Sequence, residues 1–162
     1  MREILRLCGG MPQRAFAADE VILRAGDRTG VLFVLIEGTV EIVRGDVQVN
    51  VVSDPGAVFG EMSALLDTPH TATVRTLEPS RFHVAENALG FLQGDATVTL
   101  AVARLLARRL HGMTSYLVDL KHQFADHDSH LGMVDEVLEV LVHHQGEEHS
   151  PGSDRDPDPN VS

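Results

Sequence analysis

The chain has 162 residues, of which 43% are hydrophobic, a formal net charge of −11 and one cysteine. That length allows one domain with a sizeable core, or one domain with appendages. The totals exclude an internal disulfide and a long apolar membrane span. They also exclude a broad cationic footprint for nucleic acid or anionic membrane, because the basic residues are scattered apart from Arg104, Arg108 and Arg109.

The start, MREILRLCGGMPQR, lacks a long apolar stretch of the signal-peptide kind, so a cytoplasmic location is expected. Residues 1–8 read as a short amphipathic helical turn carrying Ile4 and Leu5, ended by Gly9, Gly10 and Pro12. Cys8 is expected to be a small apolar packing residue. From residue 13 to 85, short runs rich in Val, Ile, Phe and Thr alternate with Gly and Asp. VILRAGD, VLFVLIEG, TVEIVRG, VQVNVV, TATVRTL and RFHVAE each predict a strand or strand pair. Gly26-Asp27, Gly38, Gly45-Asp46 and Pro55-Gly56 fall at the turns. Many short strands at close spacing predict a β-sandwich or barrel.

After residue 86 the period changes from 2 to about 3.6. Asn87 is placed to cap a short helix carrying Leu89, Phe91 and Leu92, and Asp95 to cap the next. A long helix is then predicted through TVTLAVARLLARRLHGMTSYLVDLKHQF. Its apolar positions Ala103, Leu106, Leu110, Met113, Leu117, Leu120 and Phe124 repeat as a heptad seam, which predicts a homodimer. The seam continues in phase through His127, Leu131, Val134, Leu138 and Leu141. The polar stretch at 126–130, with Ser129 as a possible cap, leaves one long helix and two helices equally open. The expected layout is a domain over 1–125 (strands 13–85, helices 87–125), a second helix or coiled-coil extension over 126–145, and a disordered acidic tail over 146–162.

The segment from Gly56 to Val74 carries the most specific signal. Phe59-Gly60-Glu61, followed by a short apolar turn and then Pro69-His70-Thr71-Ala72-Thr73-Val74, resembles the phosphate-binding cassette of the cyclic-nucleotide-binding domain family. Leu23-x-x-Gly26-Asp27 and Ile36-Glu37-Gly38-Thr39-Val40-Glu41-Ile42 resemble that family's first glycines. The resemblance covers roughly residues 13–125. It implies a mainly β fold with α: an antiparallel β-roll, jelly-roll-like, followed by a long C-terminal dimerisation helix.

The resemblance also implies a site and a ligand. The ligand is cyclic AMP or cyclic GMP, with no cofactor and no bound metal. The binding set is Phe59, Gly60, Glu61, Met62, Ser63, His70, Thr71 and Ala72, with Thr114 and Ser115 on the long helix reaching the base. Gly60 allows the backbone to approach the phosphate. Glu61 would accept from the ribose 2′-OH, and Thr71 and Ala72 would present N–H groups and one hydroxyl. The family places Arg where this chain has His70. Imidazole is shorter than guanidinium, offers at most two donors, and is neutral at pH 7 unless a phosphate raises its pKa. Affinity that weakens above about pH 7 is therefore expected of a charged His70. Arg75 lies on the same strand face as Thr71 and Thr73 by alternation, a possible substitute.

Most of the histidines, His122, His127, His130, His143, His144 and His149, crowd the C-terminal part, but their spacing matches no closed zinc pattern and they read as solvated surface. No catalytic triad, paired carboxylates or Walker-type loop is present, so no enzyme activity is expected. The residues after Ala125 are acidic and too few for the winged helix-turn-helix of the family's DNA-reading members. The expected role is a regulatory sensor passing its output to an effector protein through its C-terminal helices. A ligand-free pseudo-receptor acting as a dimeric interaction module is the alternative.

Overall fold

The computed structural model describes residues 1–124 and 128–143. In chain order the elements are α1 (Arg2–Leu7), β1 (Gln13–Phe16), β2 (Val21–Leu23), β3 (Leu32–Glu37), β4 (Val40–Arg44), β5 (Val47–Val52), β6 (Val58–Phe59), α2 (Glu61–Leu66), β7 (Thr73–Thr76), β8 (Ser80–Ala85), α3 (Ala88–Gly94), α4 (Ala96–Gln123) and α5 (Asp128–His143). The chain divides after Ala107 into two compact units.

The first unit is built on two four-stranded sheets with every pairing antiparallel, in the orders β1-β8-β3-β6 and β2-β7-β4-β5. This is the expected β-roll. The run LFVLIE in β3 shows why the fold takes this form. Successive side chains of a strand point to opposite faces, so an unbroken apolar run needs cover on both. Leu32 and Val34 join one core cluster with Ile4, Cys8, Leu92, Val98, Val102 and Leu105, between the sheet and the helices. Phe33 and Leu35 join the other cluster, with Leu23, Val40, Phe59, Val74 and Phe82, inside the roll. There Phe82 meets Phe16, Phe33 and Phe59 edge-on, at ring centroid distances of 5.6, 5.8 and 6.4 Å. Edge-to-face rings place positive edges on negative faces, which orders the roll interior beyond simple burial.

The helix starts are chemically marked. The Asn87 side-chain oxygen accepts from the Gly90 N–H at 2.9 Å, and Asp95 Oδ1 accepts from the Thr97 N–H at 2.7 Å. Val98, Ala101, Val102 and Leu105 are the buried face of α4 within the first unit. Cys8 is fully buried, and burial pushes its thiol up to about 11, which leaves it a protonated packing group at neutral pH.

Several elements differ from the sequence expectation. β1 and β6 are additional strands. β2 ends at Leu23 rather than continuing to Asp27, because the Ala25 N–H donates to Thr73 Oγ1 and the Gly26 N–H to the His70 carbonyl, which turns the chain. The C-terminal periodicity resolves into two helices, α4 and α5. In the second unit Lys121 and Asp135 pair across them. Leu106, assigned to the seam, is instead half-buried against the helix-side core cluster. Position 127 of the seam, His144, His149 and the tail at 146–162 lie outside the described residues. Among the described residues no single helix is long and apolar enough to cross a membrane, and no group of three or more His, Cys, Asp or Glu side chains is placed to hold a metal ion.

Candidate functional site

The site grows out of the link between β6 and β7. Phe59 pairs with Phe33 of β3, and its side chain is buried in the roll core rather than offered to a ligand. The chain then reverses at Gly60, whose φ is +91°. A Cβ there would lie 2.3 Å from the Val31 carbonyl oxygen, so no other residue fits this approach. The reversal drives Glu61 inward at the start of α2, where it is only 2% exposed. Met62 points outward and is exposed. Ser63 Oγ donates to the Thr68 carbonyl at 2.5 Å and so closes the turn after α2. Asp67 ends α2 in the left-handed region at φ +50°.

The segment after α2 is fastened to the loop between β2 and β3. Arg28 Nη1 donates to the Asp67 carbonyl at 2.8 Å and to Asp67 Oδ1 at 3.1 Å. The His70 N–H donates to the Asp27 carbonyl at 2.9 Å, and the Gly26 N–H donates back to the His70 carbonyl at 2.8 Å. His70 as a whole is 7% exposed, and its Nε2 lies 2.8 Å from Thr29 Oγ1. Thr71 is exposed and Ala72 half-buried, leading into β7. Residues 59–63 and 70–72 thus lie on one continuous segment of the first unit, which runs from β6 through α2 to β7. Thr114 and Ser115 lie on α4 in the second unit, where Thr114 Oγ1 donates to the Leu110 carbonyl at 2.9 Å.

Arg75 does not substitute for the family's Arg. Its guanidinium is bound to Glu41, at 2.7 Å from Nε to Oε1 and more closely from Nη2. Hydrogen bonds from Gln48 and Arg75 together hold the Glu41 carboxyl below the usual range, so the pair is ionised and occupied at neutral pH. The residues that sequence reasoning missed are Asp27, Arg28 and Thr29. Gly26-Asp27 marked a turn, but nothing local showed that the turn would clasp the cassette. A small groove of about 170 Å³ lined by Arg28, Ser63, Asp67, Thr68 and Asn87 lies beside this clasp. It reaches neither Glu61 nor His70 and falls below the roughly 300 Å³ at which small-molecule sites begin.

Burial holds the His70 imidazole below its usual pKa, against a smaller upward pull from Asp27. The folded chain therefore keeps His70 neutral, whereas the unfolded chain takes up a proton near pH 6.5. Stability from this group is complete above about pH 6.5 and is lost as pH falls below it. Urea midpoints at about pH 5 and 7.5 check this: His70→Gln should show a smaller acid loss than wild type. Equal losses in both proteins would remove His70 from the acid limb.

The first unit is thus an antiparallel β-roll interrupted by a glycine-opened helical turn that carries a buried carboxylate. Residues 13–88 match the family model of the cyclic nucleotide-binding domain. The cAMP-dependent protein kinase regulatory subunit of Candida albicans is 33% identical over 63 residues, which are 39% of this chain and 14% of that protein. Among solved structures, Thermus thermophilus catabolite activator protein matches with a TM-score of 0.61 at 24% identity, over 74% of this chain and 59% of its own. The N-terminal domain of a transcriptional regulator from Streptomyces coelicolor A3(2) matches at 0.51 with 27% identity, over 69% of this chain and 84% of its own. The match to the cyclic nucleotide-binding domain family rests on residues 13–88, and the chain spans about one seventh of the length of the curated relative it matches.

Proposed function

We propose that this chain is a non-catalytic cytoplasmic sensor that binds cyclic AMP or cyclic GMP in the β-roll and passes the signal through its C-terminal helices to an effector protein. The observation that carries this reading is Glu61, a carboxylate buried directly after the left-handed Gly60 inside a family-matched cassette. A carboxylate in that position can accept from a ribose 2′-OH while backbone N–H groups and Thr71 face the phosphate. Binding residues in this reading are Glu61, Ser63, His70, Thr71 and Ala72, with Gly60 shaping the turn. The sensor occupies residues 1–125 and acts as a homodimer. The net charge of −11 supports a protein effector rather than duplex DNA as its output.

The test is a calorimetric titration with cyclic AMP and with cyclic GMP. Wild type should bind one or both. Glu61→Ala should weaken that binding roughly 10- to 100-fold, the worth of a hydrogen bond to a charged group. The second reading, a ligand-free pseudo-receptor, is favoured by one observation: His70 stands in place of the family's Arg, with its imidazole already against Thr29. Absence of heat with either nucleotide, from a folded dimer, would establish that reading and overturn the sensor.

A further inference from the structure

We propose that Thr29 is the positioning residue for His70: its hydroxyl donates to Nε2, so the ring's single proton sits on Nδ1 and is presented, uncharged, to an anionic oxygen of the ligand. The inference rests on the cyclic-nucleotide reading of the cassette. It specifies how such a site holds a phosphate where the family's Arg is missing.

The geometry favours this direction of the bond. Thr29 Oγ1 stands 2.8 Å from Nε2, and the Val31 N–H approaches the same oxygen at 3.4 Å. A hydroxyl accepting from a backbone N–H keeps its own proton to give, and Nε2 is the acceptor beside it. Both partners are held by one loop, since the Asp27 carbonyl takes the His70 N–H two residues before Thr29. Nδ1 has no hydrogen-bond partner among the described residues. Nδ1 is not sealed off without a partner, since no described polar side-chain atom is both fully enclosed and unpartnered.

The tautomer then decides what the ring can do. A neutral imidazole has one donor and one acceptor. With the proton on Nε2, the Nδ1 lone pair would face an incoming phosphate and repel it. With the proton on Nδ1, the ring donates without needing a charge, and burial keeps it uncharged at neutral pH. Asp27 is the charged group that acts on the ring. Arg28, in the same loop, is committed to Asp67.

The experiment reads the His70 ring nitrogens by ¹⁵N NMR in the free protein, and cyclic AMP affinity from about pH 5.5 to 8.5, for wild type, Thr29→Ser and Thr29→Val. Wild type and Thr29→Ser should carry the proton on Nδ1 and bind with an affinity that is flat above about pH 6.5, rather than weakening above about pH 7 as a charged His70 requires. Thr29→Val should move the proton to Nε2 and weaken binding roughly five- to tenfold at about pH 7.5. That loss should recover towards about pH 5.5, where the doubly protonated ring donates from both nitrogens. A wild-type ring protonated on Nε2, or a Thr29→Val protein with wild-type affinity and pH profile, overturns the inference. The wild-type tautomer decides this even if Thr29→Val does not fold. An Nδ1–H ring in a wild-type protein that binds neither cyclic nucleotide overturns the sensor reading instead, and with it the role of the ring towards an anion.

Discussion

Gly60→Ala is expected to destabilise the first unit by about 2–5 kcal/mol, through backbone strain at positive φ and through overpacking. The two costs have separate origins. At φ +91° an L-residue leaves its favoured regions. The new methyl would also sit 2.3 Å from the Val31 carbonyl oxygen, a backbone atom that moves only if β3 moves. Glu61 follows directly, so any relief of the clash rotates its carboxylate out of the roll. Urea denaturation measures the stability, and Gly112→Ala is the control. A Cβ at Gly112 meets nothing within 4 Å, so the helix-propensity gain alone should stabilise by about 0.5–1 kcal/mol. A Gly60→Ala protein as stable as wild type would show that the turn is not held where it is described.

Leu117→Glu with Leu120→Glu is expected to convert a homodimer to a monomer. Light scattering at tens of micromolar should give twice the chain mass for wild type and the chain mass for the double variant. Within the second unit α4 and α5 are tied by Lys121 and Asp135, and Leu117 and Leu120 are half-buried. Val134, Leu138 and Leu141 on α5 are likewise half-buried. Yet Met113 is 62% exposed, Phe124 48% and Leu110 46%, with Tyr116, Met133 and Val137 also exposed. A two-helix pair covers only part of an apolar surface of that extent, and a two-fold copy of the same surface is the simplest cover. Two glutamates at the centre of such an interface would bury like charges without partners, at a cost of several kcal/mol. A monomeric wild type would mean that α5 alone suffices as cover, and would end the inter-subunit route for signalling.

The candidate site was legible to different depths. Phe59-Gly60-Glu61 and the Pro69–Val74 segment were readable because their chemistry is local: a glycine for a reversal, a carboxylate next to it, small residues leading into a strand. Position 70 was readable as an unusual residue, but not as one that burial keeps neutral. Its state depends on burial against a loop some forty residues earlier, with Thr29 and His70 separated by 41 positions. Arg75 was misleading for the same reason. Strand alternation alone put it on the right face for a phosphate, whereas Glu41, 34 positions away on the neighbouring strand, holds its guanidinium.

The sequence by itself determined a domain of many short strands, the switch to helical periodicity after residue 86 and the caps at Asn87 and Asp95, while the resemblance supplied the roll and the cassette. The strands, the switch and the caps depend on neighbours within a few residues, whose spacing and side-chain chemistry choose the backbone. Only the tertiary structure decided the existence of β1 and β6, the early end of β2 and the clasp of residues 26–29 on 67–70. β6 is two residues long and shows no period of its own; it is a strand because Val34 and Phe33 pair with it. β1 is mostly exposed and takes its conformation from β8. Such elements have too little local preference to be read in isolation, and they form because a partner strand distant in the chain supplies their hydrogen bonds.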